Sequence, residues 1–135
     1  CLYLVGNVHS INKSSNKTNI NCDISKTLLG GISKTVSFPL EVISKKSDTT
    51  SFNFVNGPIY FSGFTCIEND IFGYSEEGLN ICLKDKIILK SVGSYSAVFK
   101  SPFINGDIRL YSWDGEKLLL KRNAQTVDDL ISKYL

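Results

Sequence analysis

The sequence of 135 residues contains no methionine. A chain read from its own start would carry one, and this one begins Cys1-Leu2-Tyr3-Leu4, so it reads as a segment of a longer protein. There is one histidine, His9, with no ligand-like neighbour, which argues against a Ser-His-Asp set. None of Cys1, Cys22, Cys66 and Cys82 forms a C-x-x-C pair, so no metal site is expected. A core of this size needs no disulfide framework, and free thiols in a reducing cytoplasm fit best. No apolar run approaches the ~18–20 residues that span a bilayer, so no membrane partner is expected. The net charge of +2 is too weak to imply nucleic acid, and no aromatic ladder separates Lys45-Lys46 or Lys84, Lys86 and Lys90. P-loop and Rossmann glycine patterns, internal repeats and low-complexity segments are all lacking. Asn12-Lys13-Ser14 and Asn16-Lys17-Thr18 match the glycosylation sequon, as chance provides in a chain rich in Asn, Lys and Ser.

What is present is a hydrophobic fraction of 42% against 21% charged residues, enough for a core under an ordinary surface. The length predicts a single domain over residues 1–135. Short β-rich runs separated by polar turns predict an all-β barrel or sandwich. Strands are expected at 2–9, 18–24, 35–43, 51–55, 59–64, 86–92, 109–113 and 117–121. In 18–24, Ile20, Cys22 and Ile24 share one face. Pro39 marks the third run as an edge or a bulge. Residues 10–17 read as a polar loop, Gly30-Gly31 as a breaker, and Asp114-Gly115 as a hairpin turn. Only the C-terminus reads as helix. Thr126 caps it, Asp129 sits at the third helical position, and Val127, Leu130, Ile131, Tyr134 and Leu135 make an apolar face.

Two segments are dense in unusual residues. Residues 63–70, GFTCIEND, put a thiol and two carboxylates just after an apolar strand. Residues 93–106, GSYSAVFKSPFING, set Tyr95 in a loop at a strand end, where function commonly sits. The first segment resembles the G-x-x-C-x-x-x-D signature of the C-terminal domain of the ornithine/diaminopimelate/arginine decarboxylases, with Gly63, Cys66 and Asp70 in matching places. GSYS is similar to the family's Gly-Ala-Tyr element, which follows a strand introduced by Gly-Asp, here Lys84-Asp85. Residues 23–43 resemble the family segment running from Asp-Gly-Gly into a Pro-containing strand. Order and spacing agree from about Thr18 to the C-terminus.

The resemblance implies a fold-type-III enzyme with a Greek-key β-barrel or sandwich as its C-terminal domain. It implies an N-terminal α/β barrel, absent from this chain, whose lysine holds pyridoxal 5'-phosphate as a Schiff base. It further implies a cytoplasmic homodimer with composite sites at the subunit interface and an amino acid, or amino-acid conjugate, as substrate for α-decarboxylation. Cys66 takes the place of the cysteine that supplies a proton to the substrate carbon after carbon dioxide leaves. Thiols, titrating around ~8.5, are largely protonated at neutral pH yet yield a proton readily. Tyr95 takes the place of the tyrosine that hydrogen-bonds the cofactor phosphate, and Asp70 is assigned to orienting the cysteine loop.

Several departures bear on these expectations. Phe64 stands where the family often has Pro, Lys84 where it has Gly, and Ser94 where it has Ala. Ile67 stands where the ornithine and diaminopimelate enzymes place the acidic residue that recognises the substrate's distal amine. Glu68 is one residue further on, and in an extended segment it would point to the opposite side. By itself the segment is expected to be inactive. The alternatives are a non-catalytic β-sandwich binding a protein or glycan, and an amino-acid racemase of the same fold type.

Overall fold

The computed structural model describes residues 2–30, 38–44, 54–93, 96 and 106–132. The length argues for one domain; the chain's contacts divide into two compact units, Cys1–Ser101 and Pro102–Leu135.

The first unit is built on a curled, half-barrel sheet of six strands. These are β1 (Leu4–Lys13), β2 (Thr18–Cys22), β3 (Leu40–Ile43), β5 (Ile59–Ser62), β6 (Ile71–Ser75) and β8 (Lys86–Leu89), in the order β3-β8-β1-β2-β5-β6. Two short strands, β4 (Phe54–Val55) and β7 (Leu79–Asn80), pair separately. Neighbours in the large sheet run antiparallel except β2 and β5, which pair in parallel from Thr18↔Ile59 to Asn21↔Ser62.

Strand alternation supplies the core. Thr18, Ile20 and Cys22 point inward from β2, as the pattern predicts, and Ile24 continues the face. Leu4 and Val8 from β1, Ile59 and Phe61 from β5, Phe72 from β6, and Ile87 and Leu89 from β8 complete it. Burying each such side chain contributes about 1.5–3 kcal/mol, before the entropy of ordering the chain is set against it.

Pro39 immediately precedes β3, an edge strand of the sheet, so its missing N–H costs no ladder bond. Its carbonyl accepts Lys90 N at 2.8 Å. At the other edge, β6 brings Gly73 against Leu40 of β3. A Cβ on Gly73 would lie 2.7 Å from Leu40 Cδ1, so the two edge strands approach closely here.

Several sequence expectations need correction. Residues 10–13 are strand rather than loop: β1 runs on to Lys13 because Asn12 and Lys13 pair with Asn19 and Thr18, and a bulge between Val8 and Ser10 absorbs the change of register. Only Ser14–Lys17 turns, with Ser14 N bonded to Lys17 O at 2.9 Å. The strand expected over 59–64 stops at Ser62. Strands β6 and β7 carry no clear alternation and were not expected.

The second unit holds the hairpin of β9 (Leu110–Trp113) and β10 (Leu118–Arg122) around Asp114-Gly115, as predicted. It ends in a short helix, α1 (Val127–Ile131). Thr126 Oγ1 accepts Asp129 N at 3.1 Å, and Asp129 Oδ2 accepts Thr126 N at 2.8 Å, a reciprocal capping box. Of the expected apolar helix face, Val127 and Ile131 are exposed, while the Leu130 side chain, Tyr134 and Leu135 lie outside what the structure describes. No helix among the described residues is long and apolar enough to cross a membrane.

Candidate functional site

The loop 63–70 connects β5 to β6, and Asp70 organises it. Asp70 is 6% exposed, and its carboxylate is surrounded by donors. Ser25 Oγ lies 3.0 and 2.9 Å from its two oxygens. Lys26 N donates to Oδ1 at 2.8 Å, and Thr65 N donates to Oδ2 at 3.1 Å. Thr65 Oγ1 donates to Oδ2 as well. A carboxylate removed from water this far is tolerated because hydrogen bonds replace its hydration.

The backbone closes the same loop. Gly63 N donates to Asp70 O at 2.8 Å, and Asp70 N donates to Ile67 O at 3.1 Å. The latter bond makes residues 67–70 a turn, with Asn69 in the left-handed region at φ 61°. Asn is one of the few side chains that adopt this conformation readily. Gly63 is required by close approach: a Cβ there would sit 2.2 Å from Asp70 Oδ2.

The outcome is a loop anchored at its base and open at its tip. Cys66, Ile67, Glu68 and Asn69 are all exposed, Ile67 by 42%. The structure thus brings four of the sequence-picked residues, Cys66, Ile67, Glu68 and Asp70, into one short loop. It also corrects the premise about Glu68. Ile67 and Glu68 belong to a turn, not an extended segment, so strict alternation does not set their directions. Tyr95 lies outside the described residues.

The thiols differ sharply in setting. Cys22, 1% exposed, is pushed up to about 12 by burial, with the neighbouring Asp23 charge adding to the effect. Cys66 is exposed and Cys82 half-buried, and neither is held in a disulfide. Among the described residues no cluster of His, Cys, Asp or Glu is placed to hold a metal.

Sequence reasoning missed Ser25 and Thr65, which hold Asp70. Ser25 had a legible signal, a cap residue just ahead of Leu28-Leu29. It does cap the 3-10 turn Lys26–Leu29, accepting Thr27 N at 3.1 Å. Thr65 had none. Asp85 is a second buried carboxylate. Asp85 Oδ2 accepts Cys82 N at 2.8 Å and Ser44 Oγ at 2.9 Å, fixing the start of β8. Lys84, directly before it, sits in the left-handed region at φ 69°. That conformation explains why glycine suits this position.

No family model and no curated protein matches the chain. Solved structures do. Diaminopimelate decarboxylase from M. jannaschii aligns over 98% of this chain and 30% of its own, with TM-score 0.79 and 19% identity. The enzyme from Helicobacter pylori complexed with L-lysine covers 98% of this chain and 32% of its own, with TM-score 0.74 and 20% identity. An SrLDC variant in complex with PLP covers 75% and 25%, with TM-score 0.57 and 19% identity. The fold is that of the C-terminal domain of these decarboxylases. The chain spans about a third of the length of the diaminopimelate decarboxylases it matches.

Proposed function

We propose that this chain is the C-terminal β-domain of a pyridoxal-phosphate-dependent amino-acid decarboxylase and that Cys66 is the proton donor it contributes. The observation that carries this reading is the loop itself. An exposed thiol stands in a loop whose base is fixed by a buried, fully bonded carboxylate. A general acid needs this combination, free access to a reacting atom together with a held position. The residues fit the proton-supplying edge of a cofactor site rather than its cradle, since the described loop presents a thiol, Ile67 and Glu68. Tyr95 is assigned to the cofactor phosphate. When bound, the cofactor supplies an electron sink for the carbon that loses its carboxylate. The lysine that anchors it belongs to the N-terminal barrel, and the cytoplasmic homodimer completes the site.

In this reading Cys66 Sγ holds a proton at the loop tip and passes it to the substrate carbon after carbon dioxide departs. Ile67, beside it, offers no charge to a distal ammonium. Leaving such a buried charge unpaired costs about 2–5 kcal/mol. The substrate is therefore an amino acid or conjugate whose distal end is uncharged, acylated or met by Glu68.

The test is Cys66→Ala in the full-length enzyme. Turnover should fall by about 10²–10⁴, with cofactor affinity nearly unchanged and a larger share of turnovers ending in misplaced protonation. Near-normal turnover would assign the thiol to the surface and sink the reading. A substrate panel with Ile67→Asp alongside tests specificity. Efficient use of free diamino acids by the unaltered enzyme, left intact by Glu68→Ala, would refute the inference from Ile67.

A further inference from the structure

We propose that Ser25 is a positioning residue for the Cys66 loop, acting through Asp70; the consequence for turnover rests on Cys66 being the proton donor. Ser25 is far from the loop in sequence and is 1% exposed. Its hydroxyl works in two directions. It accepts Thr27 N at 3.1 Å and Thr27 Oγ1 at 3.0 Å, which fixes its lone pairs on the 3-10 turn. Its single proton is left for the Asp70 carboxylate, whose two oxygens lie 3.0 and 2.9 Å away. Lys26 N, the next donor along, reaches Oδ1 at 2.8 Å. The carboxylate then spends its remaining capacity on Thr65 N and Thr65 Oγ1, the residue directly before Cys66.

The result is a continuous chain of hydrogen bonds from Thr27 through Ser25 and Asp70 to Thr65. Each link is short and the middle two members are buried, so it is not dispersed by solvent. Ser25 and Lys26 form one wall of the socket and Thr65 the other, with Gly63 leaving room between them because any side chain would strike Asp70. The turn that begins at Ser25 therefore sets where the loop base sits, and the loop base sets where Cys66 stands. Deleting the Ser25 hydroxyl leaves a buried carboxylate short of one donor. The carboxylate can recover hydration only by moving toward the surface, which takes Thr65 and Cys66 with it.

The experiment combines amide exchange with a double-mutant cycle in the full-length protein. Ser25→Ala should speed exchange at Lys26, Gly63 and Thr65 by about tenfold, the scale of one hydrogen bond to a charged group. The β1 and β8 ladder amides should keep their protection. Turnover should drop about tenfold with KM unchanged, and in a Cys66→Ala background Ser25→Ala should cost nothing more. Thr65→Val removes a donor from the loop side while sparing the Ser25 cap, and it decides the matter if Ser25→Ala fails to fold; the same local loosening is expected. Unchanged exchange at the three amides, loosening spread evenly over the ladder, or an equal loss of turnover with and without the thiol overturns the positioning role. If exchange loosens locally but Cys66→Ala is silent, the hydrogen-bond chain stands and the proton-donor reading falls.

Discussion

At the scale of single residues, two positions carry a measurable signature. Lys84 holds φ 69° ahead of the buried Asp85, where a side chain is strained by about 1–2 kcal/mol. Part of that would be offset by the greater freedom of glycine in the unfolded chain. Lys84→Gly should therefore raise stability by up to about 1 kcal/mol, read as a higher urea midpoint with the slope unchanged. A lower midpoint would mean that the lysine side chain makes a compensating contact. Cys22 offers a pH test. Its thiol is raised from 9.0 to about 12 by burial and by Asp23. The fold thus prefers the protonated form. The contribution is complete below pH 9.0, where the unfolded thiol is still protonated, and is lost progressively as pH rises toward about 12. Cys22→Ala should flatten stability against pH in that window; an unaltered slope would show the thiol titrating normally.

At the scale of elements, the hairpin β9–β10 is the clearest case of local chemistry deciding structure. Asp114 Oδ1 accepts Lys117 N and Glu116 N, each at 2.9 Å, so the side chain closes the turn around Gly115. These backbone donors hold the Asp114 carboxyl below its usual 3.8. A depressed folded value means that the carboxylate supports the turn above that pH and ceases to as pH falls through the folded value. The Glu116 and Lys117 amide resonances should titrate together with a midpoint below 3.8. Asp114→Ala should abolish that step and loosen the hairpin. A midpoint at or above the usual value would mean that the two hydrogen bonds do not persist in solution.

At the scale of the whole molecule, curling the sheet depends on a place where no side chain fits. Gly73 on one edge strand admits the Leu40 side chain from the other, with Phe61 close behind at 3.3 Å from an added Cβ. Gly73→Ala should cost about 1–3 kcal/mol, the range for overpacking a tight core. If the clash with Leu40 is the cause, Leu40→Ala in the same chain should recover part of the loss. Equal and additive losses would place the two residues out of contact and leave the sheet open between β3 and β6.

Residue order alone made legible what depends on neighbours in the chain. Alternation placed Ile20, Cys22 and Ile24 inside, Pro39 pointed to an edge, Asp114-Gly115 made a hairpin, and Thr126 with Asp129 capped a helix. The crowding of a thiol and two carboxylates into residues 63–70 also marked the loop that the proposed chemistry uses. What it could not determine depends on partners distant in sequence. Strand β1 extends past its apolar stretch because β2 supplies backbone bonds to Asn12 and Lys13, and no local pattern announces that. Gly63 looks like an ordinary breaker until Asp70 is folded against it. Ser25 looks like a helix cap until a carboxylate 45 positions later reaches its hydroxyl. A buried polar group must find its donors wherever the fold brings them, and that choice is made only when the sheet closes.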